Sequence, residues 1–301
     1  MRSTRILGIA VASLPLLAGC GGGGATGGGL VTIDGSSTVF PISQAMAEEF
    51  MIANQGVQVT VGVSGTGGGF QKFCNGETDI SDASRPIEDS EREVCRENGI
   101  DPIELMVGWD GLTVVTNPQN DWAVCMTVDE LKRLWQPGST IRSWSEIRAG
   151  WPDEQVVLYG ADTDSGTFDY FTEAIVGEAD ASRSDYTASA DDNVLVLGVS
   201  GDRGALGYFG YAYFEENRDK LRAVQIDGGT GCIGPERGTI EDQSYTPLSR
   251  PMYIYVRRDA LERPAVRAFV DFYLDNAVEL VPETGYVPLA DYEATRARLG
   301  R

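Results

Sequence analysis

The chain contains no histidine. That removes Ser-His-Asp and Cys-His nucleophile arrangements and every His-ligated metal site. Lysine occurs only at Lys72, Lys132 and Lys220, so an activated-lysine mechanism has few places to sit. No C-x-x-C occurs among the five cysteines, which argues against zinc-ribbon and thioredoxin-like chemistry. Beyond the first twenty residues, no run is long and apolar enough to span a bilayer. Positive charge is scarce as well: Lys and Arg total 24 against 45 Asp and Glu, for a formal net charge of −21. A chain this acidic is a poor partner for nucleic acid or an anionic membrane surface. The sequence calls for no cofactor and no metal.

What is present is enough apolar material, 42% of 301 residues, for two compact lobes or one large domain. The start reads as an export signal. Arg2 and Arg5 precede an apolar run from Ile6 to Ala18, and Leu17-Ala18-Gly19-Cys20 resembles a bacterial lipobox, in which the cysteine carries the lipid. Residues 1–19 are therefore expected to be a lipoprotein signal peptide, Cys20 the lipidated residue, and residues 20–29 a Gly-rich tether with little to pack. Cys74, Cys95, Cys125 and Cys232 remain. In an exported chain they suggest two disulfides, with three connectivities open, of which Cys74–Cys95 with Cys125–Cys232 is favoured.

From Leu30 onward, strand and helix patterns alternate. Val57–Val63 alternates valine with polar residues, and residues 41–53 carry a helical stripe of Ile42, Ala45, Met46 and Phe50. Thr127 with Glu130 and Ser143 with Glu146 read as capping boxes. Residues 103–107 and 112–116 read as two strands, residues 165–176 as one helix, and residues 227–251 as a long irregular connection. Pro264 suits a first helical turn. The aromatic run from Tyr208 to Phe214 reads as a core strand turning into a helix rather than a sugar platform. The expected fold is α/β with mixed sheets and flanking helices, in two lobes with a cleft between them. Lobe one takes residues 30–110 plus 250–301, and lobe two takes 111–249.

Four loops share a small, hydroxyl-rich character. They are Asp34-Gly35-Ser36-Ser37-Thr38-Val39-Phe40-Pro41, Ser64-Gly65-Thr66-Gly67-Gly68-Gly69, Asp79-Ile80-Ser81-Asp82-Ala83-Ser84-Arg85-Pro86 and Asp162-Thr163-Asp164-Ser165-Gly166-Thr167-Phe168. The first, second and fourth precede helices. A helix start offers free N–H groups, glycine admits a close approach, and Ser or Thr adds donors, which together suit an oxyanion. Each loop alone is ordinary capping; the set of four is not. Such local donors would let a chain of strongly negative charge hold an anion. The third loop adds Arg85, a planar cation suited to phosphate oxygens, and Asp82, an acceptor. A buried carboxylate in an anion site favours a ligand that carries a proton, which phosphate does and sulfate at neutral pH does not. Asp162, Asp164 and Asp169 lack the terminal glutamate of an EF-hand and read as cap and solvated helix face.

The strings GSSTVFPI, SGTGGGFQKF, DISDASRP, DSGTFDYFTEAIVG and DDNVLVLGVSGDRGALGYFGYAY resemble the phosphate-binding receptors of bacterial phosphate ABC importers. The likeness runs from about Leu30 to Ile226. It implies a type II periplasmic-binding-protein fold, a monomer with no enzymatic activity, and inorganic phosphate and importer permease subunits as partners. It also implies contact with the membrane only through the lipid. By motif, the ligand set would be Ser37, Thr38, Val39, Ser64, Thr66, Asp82, Ser165, Gly166 and Thr167. Well-known relatives carry an arginine four residues before the SGT serine, where this chain has Ala161; Arg85 is the expected replacement. The competing readings are a receptor for sulfate, molybdate or arsenate, a secreted phosphatase, for which the sequence offers neither metal cluster nor activated nucleophile, and a surface adhesion or signalling protein that reuses the fold.

Overall fold

A computed structural model describes residues 28–163 and 165–300. The expected signal peptide, Cys20 and nearly all of the expected tether lie outside the described residues. The chain runs β1 Gly29–Gly35, α1 Phe40–Ala53, β2 Val57–Val63, α2 Gly65–Cys74, β3 Ile80–Ala83, α3 Asp89–Glu97, β4 Pro102–Thr116, β5 Cys125–Thr127, α4 Val128–Trp135, α5 Trp144–Ile147, β6 Val157–Ala161 and α6 Gly166–Phe171. It continues with β7 Thr187–Ser189, α7 Asp192–Gly201, β8 Ala205–Gly210, α8 Tyr211–Glu216, β9 Arg222–Ala223, β10 Gln225–Asp227, β11 Cys232–Ile233, α9 Arg237–Glu241, β12 Ser249–Arg257, α10 Pro264–Glu283 and α11 Glu293–Ala297.

Local sequence accounts for many of these boundaries. Helix α1 buries Ile42, Met46 and Phe50 at four-residue spacing, the apolar stripe of a core-facing helix. Both predicted capping boxes form, Thr127 with Glu130 and Ser143 with Glu146. Strand β2 buries Val57 and Val59 and exposes Gln58 and Thr60, as expected of the sheet edge it occupies.

Three expectations change. Residues 102–116 form a single long strand. It pairs with β12 through Pro102–Gly111 and with β8 through Leu112–Thr116, so one strand serves both halves of the sheet and needs no break. The helix after Ser165 stops at Phe171 and continues to Val176 as a π-helix. Residues 227–251 hold β11, α9 and the start of β12; these elements are too short to leave a periodic signal.

The main sheet has the order β2-β1-β3-β12-β4-β8-β6-β7, with β9 also on β4; a smaller sheet orders β11-β10-β5. Strands β2, β1 and β3 are mutually parallel, and so are β8, β6 and β7. Two large apolar cores lie along the β4–β12 pair, and a smaller cluster gathers Phe70, Phe73, Ile87 and Tyr255 around the Cys74–Cys95 disulfide. One runs from Val31 to Val107 and from Met252 to Leu299, with Phe50, Phe269 and Tyr273 at its centre. The other runs from Leu112 to Leu248 with Val287, and holds Trp135, Trp144, Phe171 and Tyr208. Rings of Phe171 and Tyr208 stack at 3.7 Å, with Trp135 edge-on to both. Disulfides Cys74–Cys95 and Cys125–Cys232 join α2 to α3 and β5 to β11, respectively. No helix of the described residues is long and apolar enough to cross a membrane.

Candidate functional site

Open parallel sheets place ligands at the carboxyl ends of their strands. Here β1 ends into Ser36-Ser37-Thr38, β2 into Ser64-Gly65-Thr66, and β3 into Ser84-Arg85. These ends converge on one cavity of about 580 Å³, lined by Ser36, Ser37, Thr38, Gly65, Thr66, Gly67, Ser84 and Arg85. Its opposite side is made of Asp169, Tyr170, Glu173 and Ala174 with Thr246, Pro247, Ser249 and Arg250.

Close packing makes this convergence possible. A Cβ on Gly69 would lie 2.5 Å from the Gly35 Cα and 3.0 Å from the Asp34 carbonyl oxygen, so only glycine lets α2 settle against β1. The glycines of this loop therefore fall inside helix α2, which begins at Gly65 rather than after Gly69. A Cβ on Gly166 would lie 3.1 Å from the Thr38 Cα, so the start of α6 is pressed against the β1 loop. Ser165 caps α6 by accepting from the Thr167 N–H at 3.2 Å. Gly166 stands next to the cavity wall at Thr38, and Ser165, Gly166 and Thr167 are not among the lining residues.

On the strand-end side, Thr66 Oγ1 accepts from the Ser84 N–H at 3.2 Å and lies 3.1 Å from Ser84 Oγ. Ser64 lies off the wall. Its hydroxyl donates to Asp34, whose other oxygen accepts from Lys72 Nζ at 2.7 Å. Ser64 thus anchors the loop. Val39 is fully buried in the first core.

Two of the expected ligands, Asp82 and Arg85, have surroundings that their motif does not reveal. Asp82 is wholly buried and does not line the cavity. Its carbonyl accepts from the Ser36 N–H at 3.0 Å, while its carboxyl turns inward to accept from Ser43 Oγ at 2.8 Å. The remaining oxygen, Oδ2, has no partner. Burial, opposed by the Ser43 bond and reinforced by nearby Asp34, pushes the Asp82 pKa up to about 8, so the group keeps its proton at neutral pH. Ser84, one residue past the end of β3, reaches the cavity wall instead.

Arg85 reaches the wall but its fork is taken. Nη1 and Nη2 each donate to Glu91 at 2.8 Å, and Glu88 lies 3.4 Å from Nε. The Glu91 hydrogen bond, partly offset by burial, raises its pKa further. Arg85 is thereby neutralised from within the α3 entry.

The other side carries charge that the sequence reading missed. Arg250 donates through Nη2 to Thr38 Oγ1 at 2.6 Å and through Nε to buried Asp110 at 3.2 Å. Its guanidinium lies 3.5 Å over the Tyr170 ring, with Glu173 at 3.9 Å. Neighbouring Ser249 has a buried hydroxyl without a partner. Asp169 accepts from Ser37 Oγ at 3.0 Å, joining two parts of the lining. Burial, countered by that bond and augmented by Asp180, raises the Asp169 pKa. The signal for Arg250 was faint: an isolated Ser-Arg-Pro at the end of a stretch read as irregular. Asp169 was read only as helix surface. Among the described residues, no cluster of three His, Cys, Asp or Glu could hold a metal ion.

Residues 22–277 match the PBP superfamily domain. The chain is 49% identical over 264 residues to the protein SphX of a Synechocystis species, covering 87% of this chain and 79% of that one. It is 37% identical over 298 residues to the phosphate-binding protein PstS of Staphylococcus saprophyticus, covering 96% and 92%. The crystal structure of a possible phosphate binding protein from Planctomyces limnophilus superposes with a TM-score of 0.87 at 51% identity, covering 91% and 98%. An ABC-type phosphate transport receptor from Vibrio cholerae shares the fold at 22% identity, with a TM-score of 0.64. By these matches, this chain belongs to the PBP superfamily of solute-binding receptors, in the family of PstS and SphX.

Proposed function

We propose that this protein captures inorganic phosphate in the cavity between its two cores and delivers it to a membrane ABC importer, without chemical change. One observation carries the reading: three parallel strand ends and the Ser249-Arg250 segment bring hydroxyls, glycine backbone and a guanidinium to one cavity. Neutral donors with one cation suit a small oxyanion. The family relation supports the same ligand. The lobes are residues 30–110 plus 250–301 and residues 111–249, with the cavity between them, and closure would trap the anion.

Proton reading, assigned from sequence to Asp82, passes in this proposal to Asp169, the carboxyl that faces the cavity. Its place on the wall and its Ser37 partner suit an acceptor for the O–H of a protonated anion, and as a carboxylate it opposes sulfate. Export and attachment through Cys20 complete the proposal; Cys20→Ala should move the protein from the membrane to the soluble fraction with binding intact. Retention after a carbonate wash would end the lipid-anchor reading.

Calorimetry on phosphate-stripped protein tests the ligand. Phosphate and arsenate should bind, and sulfate should bind far more weakly. Tighter binding of sulfate or molybdate than of phosphate would overturn the assignment.

A further inference from the structure

We propose that Arg250, with Ser249 beside it, is the anion-binding cation of this site, and that Asp110 is the residue that aims it. This rests on the oxyanion-receptor reading above and names the group that supplies its attraction. Position 161, where well-known relatives have arginine, is a buried alanine that ends β6. The charge must come from elsewhere. Arg85 already faces Glu91 and Glu88. Lys72, on the same side, is held by Asp34. Arg250 is the guanidinium on the cavity wall whose Nη2 meets a neutral hydroxyl, that of Thr38.

Its setting is a built one. In the β4–β12 register Arg250 lies opposite Asp110. Asp110 is buried and takes the Nε side of the guanidinium. The Tyr170 ring, itself fixed by its hydroxyl bond to the Pro247 carbonyl at 2.8 Å, fixes the plane of the guanidinium. A fork held in both direction and plane loses little freedom when it binds. Next to it, the unpartnered Ser249 hydroxyl is a buried donor with nothing to donate to, a cost that a bound oxyanion would remove.

Position adds a consequence. Arg250 leaves the paired strands and touches Thr38, from the β1 loop, and Tyr170, from α6. An anion on its fork would therefore contact groups from both cores at once, so binding and closure are one event.

The test is phosphate titration of the wild type, Arg250→Met, Arg250→Lys, Asp110→Asn and Arg85→Met, each checked for a native circular dichroism spectrum, at two salt concentrations. Arg250→Met keeps an unbranched stem at the position and removes the charge. It should lose about 100-fold or more in affinity, for phosphate and arsenate alike, and flatten the salt dependence. Arg250→Lys should recover part of the affinity and the salt dependence. Asp110→Asn should cost less than Arg250→Met, and Arg85→Met should stay within about threefold of wild type. A folded Arg250→Met that binds within threefold of wild type, or an Arg85→Met as damaged as it, would overturn the assignment. If Arg250→Met does not fold, the lysine variant decides: unchanged affinity contradicts a forked contact. A wild type that ignores phosphate ends the phosphate reading alone; the same variants are then titrated with sulfate and molybdate, and the Arg250 assignment stands or falls on whether the anion that binds loses affinity in Arg250→Met.

Discussion

The two sides of the cavity are built from different chemistry. The side at the ends of β1, β2 and β3 is formed by Ser36, Ser37, Thr38, Thr66, Ser84 and glycine backbone, and its one cation, Arg85, is already paired. The opposite side holds Asp169, Glu173 and Arg250, with Arg250 stacked on Tyr170. Neutral hydroxyls can donate to an oxyanion of any charge. A guanidinium supplies attraction, and a carboxyl penalises a ligand that brings no proton. Under the proposed function, the first side provides contact, and the second provides affinity and discrimination.

Substitutions on the two sides should differ in kind as well as in size. Removing charge at Arg250 is the largest expected loss, the roughly 100-fold effect described above. Asp169→Asn should come next: phosphate weakens by about tenfold while the ratio of sulfate to phosphate dissociation constants falls, since the repulsion is gone. An unchanged ratio in paired titrations would show that Asp169 only holds Ser37. Thr66→Val removes a hydroxyl from the neutral side. It should cost severalfold, about 0.5–1.5 kcal/mol, equally for every tetrahedral anion; a change in anion preference would break the division between the sides.

The smallest effect on binding is expected at Asp82, where the readout is stability. Its folded pKa is raised to about 8, above the usual carboxylate range. The folded state therefore holds this proton more tightly than the unfolded chain. The stabilisation is complete below about pH 4 and is lost as pH rises from there to about 8. Asp82→Asn removes that titration, so the unfolding free energy of the variant relative to wild type, read by denaturant titration, should climb across this window with a slope of at most about 1.4 kcal/mol per pH unit. A constant difference from pH 4 to 8 would contradict the buried, protonated state.

The neutral side was legible because its parts are local. The Ser37-Thr38 loop follows a short apolar strand and the Ser64-Gly65-Thr66 loop follows one marked by valine alternation, and strand ends point loops to one edge. Even there, side-chain direction was hidden. Asp82 and Ser84 sit in one short motif, yet β3 turns the first into the core and leaves the second at the cavity. The charged side was not legible because it is assembled over distance. Arg250 meets Thr38 across 212 positions and Asp110 across 140, and only the β4–β12 pairing joins them. Arg85 looked free because its partner, Glu91, lies six residues on, past a proline and a helix start.

The most direct test of the account is a crystal structure of the protein with phosphate bound. The account predicts the anion in the cavity within hydrogen-bond distance of Arg250, Ser249, Thr38 and Thr66, with an oxygen facing Asp169 and no contact with Asp82. An anion seated on Arg85 or Asp82, or bound outside this cavity, would contradict it.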